Sequence, residues 1–306
     1  MKLINILIAI LVFLLFFGGP DYESSRLFQY IWDTGHLFLF SLVVFTILTS
    51  RYISDKSQVK ILLAVIFSSL TIGFIIELLQ IFYNRDYSLH DVINDVLGAL
   101  IGYVLYRLKQ ENIPLLKQKR NIGFLAVLLL SGFYPLMTVI LDEYMMRKEF
   151  PALANFESSY QLSRWDVKSA EISLSQKHVR EGKHSLKVIF FPDRYPDITL
   201  QHFAQDWRGF SKLGFSLFNP VENGPVSIEL KIYDKKHVDN GYKYSDRFNH
   251  ELLLQPGWND IVLSLDTILK SPETRVMNKE QLKSVSLFLH DISHPLMLFV
   301  DEVKLY

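Results

Sequence analysis

The hydrophobic pattern divides the chain in two. Along residues 1–150 apolar residues form long runs; after Pro151 they form short runs with turn residues between them. Five stretches of the first part qualify for consideration as membrane spans: 3–17, 30–50, 60–83, 91–108 and 122–141. A helix crosses the hydrocarbon core with about 20 residues, in a range of roughly 17–25. The second, third and fifth stretches satisfy this directly. The fourth does so only with polar residues at its start. The first is short, with Lys2 at its basic end, as in a signal peptide. However, Gly18-Gly19-Pro20 is a poor small-x-small cleavage site, so the segment is read as an uncleaved helix.

The second part carries strand signals at 171–175, 185–191, 213–219, 227–233, 250–254, 259–265, 284–290 and 296–306. Turns fall at Glu181-Gly182-Lys183, Asn219-Pro220, Glu222-Asn223-Gly224-Pro225 and Gln255-Pro256-Gly257. About eight or nine strands at this spacing predict a sandwich or jelly roll. Residues 266–283 look partly helical. The expected architecture is an α-helical transmembrane bundle of about five spans, residues 1–141, and an all-β jelly-roll sandwich, residues 155–306. The charged stretch 142–154 is expected to be a linker.

Charge sharpens this division. Of 32 Lys and Arg, 13 lie in residues 1–150, as do 12 of 32 Asp and Glu. The zero net charge argues against a nucleic-acid partner, which needs a basic face. The absence of Cys excludes disulfides, thiolate nucleophiles and zinc-thiolate sites. Loop charge predicts orientation. Arg51, Lys56 and Lys60 lie between the second and third spans; Arg107, Lys109, Lys117, Lys119 and Arg120 lie between the fourth and fifth. Both basic loops belong in the cytoplasm. The N-terminus is then cytoplasmic and the β-domain extracytoplasmic, in a multi-pass protein of the cell membrane.

Polar residues inside spans are expensive and mark candidate sites. The second span carries Asp33 and His36, and the third carries Gly73, Glu77 and Gln80. The fourth begins with Asp91, Asn94 and Asp95, followed by Gly98 and Gly102. Spacings of three and four place each set on one helix face. His36 and Glu77 each lie about 9 Å from the outer ends of their helices, at 1.5 Å per residue. Three helices therefore bring polar residues to one outer layer, capped by residues 84–90. A carboxylate–His pair there is able to perform acid–base work, with Glu77, His36 and Asp91 as its members. Two other readings stand beside this one: a polar pocket for a lipid headgroup or glycan stem, and a hydrogen-bonded knot locking the helices. A metal held by His36, Glu77 and Asp91 is allowed by residue type.

The set Asp33, His36, Glu77, Gln80, Arg85, Asp91, Asn94 and Gly98 resembles the VanZ-like membrane domain family over residues 1–110. That resemblance implies an envelope role and a contribution to glycopeptide (teicoplanin) resistance. It supplies no reaction. The fifth span and the β-domain depart from the family pattern.

The β-half resembles the galactose-binding-like jelly roll of carbohydrate-binding modules. The segments that carry this resemblance are Asn155-Phe156-Glu157, Glu181 to Leu186, Asp206 to Phe210, Asp246 to Asn249, Pro256 to Asn259 and Phe299 to Val303. It implies a structural calcium, with Glu157 and Asp301 as carboxylate ligands. Sugar binding needs aromatic platforms beside polar groups. Trp207, Tyr233, Tyr242, Tyr244 and Trp258 are available, with Asp234, His237, Asp246 and Arg247 nearby. Trp258, after a Pro-Gly turn, reads as packing. The ligand candidates are Trp207, Asp234, His237, Tyr244, Asp246 and Arg247, with Arg247 alternatively pairing with Asp246 or Asp234. The expected partners are membrane lipids and an envelope glycan or lipid-linked glycan. An intramembrane enzyme and a structural scaffold are the other two readings.

Overall fold

The computed structural model describes residues 2–16, 19–20, 24–50, 57–82, 88–110 and 114–306. The chain forms two compact units, Met1–Ile140 and Leu141–Tyr306. The first contains α1 (Lys2–Phe16), α2 (Arg26–Thr49), α3 (Gln58–Ile81), α4 (Leu89–Lys109) and most of α5 (Leu115–Glu149). Serines start two of these helices. Ser25 Oγ accepts from Phe28 N, and Ser88 Oγ accepts from Asp91 N, so each binds an amide that has no partner within its helix.

Among the described residues, α2, α3 and α5 are long and apolar enough to cross a membrane, and α1 is a shorter apolar helix. Helix α4 differs in kind. It buries Asp91, Asn94 and Asp95 together with Gly98, Ala99 and Gly102. A Cβ on Gly98 would lie 2.4 Å from the Leu37 carbonyl oxygen, and one on Gly102 would lie 2.4 Å from that of Ser41. The two glycines thus let α4 press against the backbone of α2.

The expected linker is not a linker. Residues 142–149 are the last turns of α5, and β1 (Ala152–Ala154) follows. Asp142 is buried and accepts from Arg164 Nη2 at 2.8 Å, while Arg164 Nη1 donates to Leu153 O at 3.0 Å. Of the charges that suggested solvent, Asp142 is spent on Arg164 in the interior, while Arg147 and Lys148 are exposed.

The second unit is an antiparallel sandwich of two sheets. One sheet has the order β3 (Ala170–Ser175), β4 (Ser185–Phe190), β11 (Leu296–Leu305), β6 (Lys212–Asn219), β9 (Gly257–Ser264), with β1 also paired to β11. The other runs β2 (Trp165–Lys168), β5 (Asp197–Leu200), β10 (Leu282–Phe288), β7 (Val226–Asp234), β8 (Phe248–Leu254). Short helices α6 (Lys235–Asp239) and α7 (Leu265–Leu269) connect strands. The core joins both sheets: Leu186, Val188, Leu217 and Val300 from the first, Ile198, Leu230, Ile232 and Val285 from the second. Strand alternation follows from this. On β7, Val226, Ile228, Leu230 and Ile232 are buried, so Glu229, Lys231 and Tyr233 project from the outer face.

Candidate functional site

In the helical unit the expected polar residues do converge. His36 Nδ1 lies 2.9 Å from Asp95 Oδ1, and His36 Nε2 lies 3.8 Å from Asp91 Oδ2. All three residues are buried. Glu77 Oε2 accepts from Ser88 N at 2.7 Å and so helps hold the start of α4. Gln80 Nε2 donates to Leu15 O at 2.9 Å, and Asn94 Nδ2 to Asp33 O at 3.4 Å. Arg85 and most of the expected 84–90 cap lie outside the described residues. Asp95, not Glu77, is the direct partner of the imidazole. Asp95 falls on the same α4 face as Asp91, but its contact is made 59 positions away. A Cβ on Gly73 would sit 2.6 Å from Asp95 Oδ2, so that glycine makes room for the carboxylate.

In the β-unit, the outer face of the sheet containing β7 is hollow. Ser284 and Ser286 lie on this face but are fully buried, bonded to each other and, through Ser286, to Thr199, beneath the larger side chains that line the hollow. The hollow opens as a groove of about 310 Å³ lined by Tyr195, Asp197, Glu229, Lys231, Tyr244, Arg247, Phe288 and His290. Its rings carry cations. Arg247 stacks over Tyr244 at 5.1 Å, and Lys231 lies 5.8 Å from the Phe288 centroid and 5.9 Å from that of Tyr233. Tyr195 packs edge-on against His290, whose Nε2 lies 3.1 Å from Glu229 Oε1. Burial holds Lys231 below the usual lysine range, the attraction of Asp197 notwithstanding. Burial likewise lifts Asp197, and Lys231 only partly offsets it.

Of the six expected ligand residues, Tyr244 and Arg247 reach this groove. Trp207 does not. It is fully buried, its indole N–H donates to Ala204 O at 2.9 Å, and it packs against Phe203 as core. Asp234, His237 and Asp246 are also buried, so they present no surface to a sugar. Both aspartates grip Arg275, whose guanidinium donates to Asp234 at 2.7 and 2.8 Å and to Asp246 at 2.5 and 2.9 Å. Hydrogen bonding from Arg275 brings Asp246 down to about 2, despite burial. The alternative pairing of Arg247 with these acids is therefore not made, and Arg247 Nε bonds Asn249 Oδ1 instead. His237 packs between Tyr233 and Tyr242, and burial holds it below the usual histidine range. Trp258 lies on β9 in the other sheet, against Phe218 and Arg180.

The expected calcium ligands are occupied by the chain itself. Glu157 Oε1 accepts from the Lys183 and His184 amides at 2.8 and 3.0 Å; Asp301 accepts from the Arg180, Glu181 and Glu302 amides. Those amides outweigh burial and hold Glu157 below the usual carboxylate range. Among the described residues no group of three or more His, Asp or Glu is arranged to hold a metal, either here or at His36, Glu77 and Asp91.

No family model matches the chain, so none supports the VanZ-like resemblance of residues 1–110. No curated protein matches it either. Solved structures do. An exo-β-agarase is 14% identical over 51% of this chain and 25% of its own, with a TM-score of 0.40. A family 11 carbohydrate-binding module from Clostridium thermocellum, in complex with a β-1,3-1,4-mixed-linked tetrasaccharide, is 14% identical over 50% of this chain and 93% of its own, with a TM-score of 0.38. An arabinose-bound α-L-arabinofuranosidase is 12% identical over 51% and 26%, at 0.38. The chain spans about a quarter of the length of the two enzymes. Their sugars and reactions belong to those proteins.

Proposed function

We propose that this is a multi-pass protein of the cell membrane whose extracytoplasmic β-domain binds an envelope glycan or lipid-linked glycan in the groove over β7 and β10. One observation carries the reading. The outer face of a sheet is hollow, and its walls alternate exposed rings (Tyr195, Tyr244) with charged groups (Lys231, Arg247, Glu229). Rings offer apolar faces to pyranose C–H groups, and the charges offer strong hydrogen bonds to hydroxyls. The polar cluster of α2, α3 and α4 would receive the lipid-proximal part of such a ligand.

The test is a glycan array probed with the full chain in lipid nanodiscs, wild type against Tyr244→Ala. Binding that the substitution weakens about ten-fold supports the groove. Binding that survives it moves the site elsewhere, and an array with no binder removes the glycan reading. For the membrane half, the VanZ-like resemblance makes teicoplanin survival the phenotype to score, wild type against Glu77→Gln at matched membrane levels. Equal survival removes that role.

A second reading has its own support. His36 Nδ1 is fixed by Asp95 while Nε2 faces Asp91 without a hydrogen bond. One carboxylate orienting an imidazole that faces a second carboxylate is an arrangement suited to proton transfer on a lipid-linked precursor. Asp95→Asn should then abolish turnover of that precursor and leave the fold intact.

A further inference from the structure

We infer that the groove selects an anionic glycan, one bearing carboxylate, sulfate or phosphate, and that Lys231 and Arg247 are the residues that select it. This rests on the groove being a glycan site and names the class of glycan.

The argument is one of unspent donors. Lys231 projects from the centre of the sheet's outer face, opposite Ser286 on one side and Asn249 on the other. Its ammonium has three hydrogens. Its close neighbours are the rings of Tyr233 and Phe288, and it makes no hydrogen bond or ion pair among the described residues. Arg247 spends Nε on Asn249, and among the described residues its Nη hydrogens make no hydrogen bond over the Tyr244 ring. The acids of the groove are partly engaged elsewhere: Glu229 meets His290 and also attracts Arg247, and Asp197 accepts from Thr199 Oγ1 at 3.1 Å while it attracts Lys231 without a hydrogen bond. Lys168, opposite Asp197 on β2, adds a further positive charge. An incoming neutral sugar would accept from some of these donors; an incoming anion would accept from them and add the attraction of opposite charges, which a partly water-shielded groove strengthens. The rings beneath exclude water from one side of each cation and strengthen that attraction. The lowered position of Lys231, which burial, Arg247 and Lys168 together enforce against Asp197, points the same way.

The experiment compares matched probes by calorimetry on the full chain in uncharged detergent. The pairs are oligogalacturonate with its neutral methyl ester, and dextran sulfate with dextran. At least one charged member should bind about ten-fold or more tighter than its neutral counterpart, the scale of one opposite-charge contact in a partly shielded groove. Lys231→Gln and Arg247→Gln should each collapse that ratio toward one. Arg247→Lys should retain part of it, and Lys212→Gln, exposed on the other sheet, should leave it unchanged. If neutral and charged members bind alike and Tyr244→Ala weakens both, the groove is a glycan site and the anionic preference is wrong. The same holds if only neutral glycans bind. If no glycan of either class binds, both the preference and the groove reading fail. A charge preference that Lys212→Gln reduces as much as Lys231→Gln is general surface attraction and also overturns the assignment.

Discussion

At the scale of single residues, the β-domain depends on a cation that the sequence gives no reason to notice. Arg275 closes a buried ring with Asp234 and Asp246, and so fixes the segment from α6 to β8 that carries Tyr244 and Arg247. Removing one partner of a buried pair leaves the other charge uncompensated, at a cost of about 3–5 kcal/mol. Arg275→Met should lower stability by that order in urea unfolding of the full chain. Its effect should exceed that of Arg208→Met, whose pairs with Asp206 and Glu280 are exposed. The same ring predicts an acid response. Asp246 sits at about 2 in the folded chain, below its unfolded value near 4. A depressed carboxylate stabilises the fold above the unfolded value and loses that contribution as pH falls through the folded one. Stability should therefore drop between about pH 4 and pH 2, and Asp246→Asn should flatten that part of the curve. A melting series across that window, on both forms, decides it. Local pattern revealed Asp234, Asp246 and Arg247 as chemically interesting. It misassigned the two aspartates because Arg275 meets Asp234 from 41 positions away, in a stretch that read as partly helical, whereas Arg247 does line the groove.

At the scale of elements, hydrophobic runs located all five helices to within a few residues at most ends, because a long apolar run has few other ways to satisfy its backbone. The exception is α5, which begins at Leu115 and runs to Glu149, through charged residues that read as loop and linker. Three strands escaped notice, β1, β2 and β5. They are only three or four residues long, too short for alternation to declare itself. The groove floor was legible in principle. The inward apolar residues of β7 place Glu229, Lys231 and Tyr233 on one outer face, but nothing local shows that β10 lies beside them. The pairing of α2 with α4 makes a direct prediction. Gly98→Ala drives a methyl group to 2.4 Å from the Leu37 carbonyl, and backbone cannot move aside as a side-chain end can. The cost should be roughly 1–3 kcal/mol, the range for overpacking. Gly123→Ala, with nothing within 4 Å, should be near neutral. Thermal unfolding in detergent compares the two, and equal melting temperatures would mean that α2 and α4 do not approach this closely.

At the scale of the whole molecule, sidedness depends on whether α4 crosses the bilayer. Length and composition qualify α2, α3 and α5, and leave α4 as a helix that buries a polar face against its neighbours. If the basic loop 51–60 lies in the cytoplasm, as its charge predicts, α3 runs outward. If α4 then runs back, residue 118 is cytoplasmic and the β-domain is outside, which is where the five basic residues between 107 and 120 favour it. If α4 packs without crossing, those residues face outward and the β-domain lies inside. The chain has no Cys, so single cysteines can be placed without background. Gln118→Cys and Lys236→Cys are at exposed positions before and within the β-unit. A membrane-impermeant maleimide applied to intact cells should label position 236 directly and position 118 only after permeabilisation. The reverse pattern would put the groove in the cytoplasm, away from any surface glycan. It would also explain the unusual polarity of α4 as that of a helix buried by its neighbours, since a helix that does not cross has no need of a lipid-facing side along its whole length.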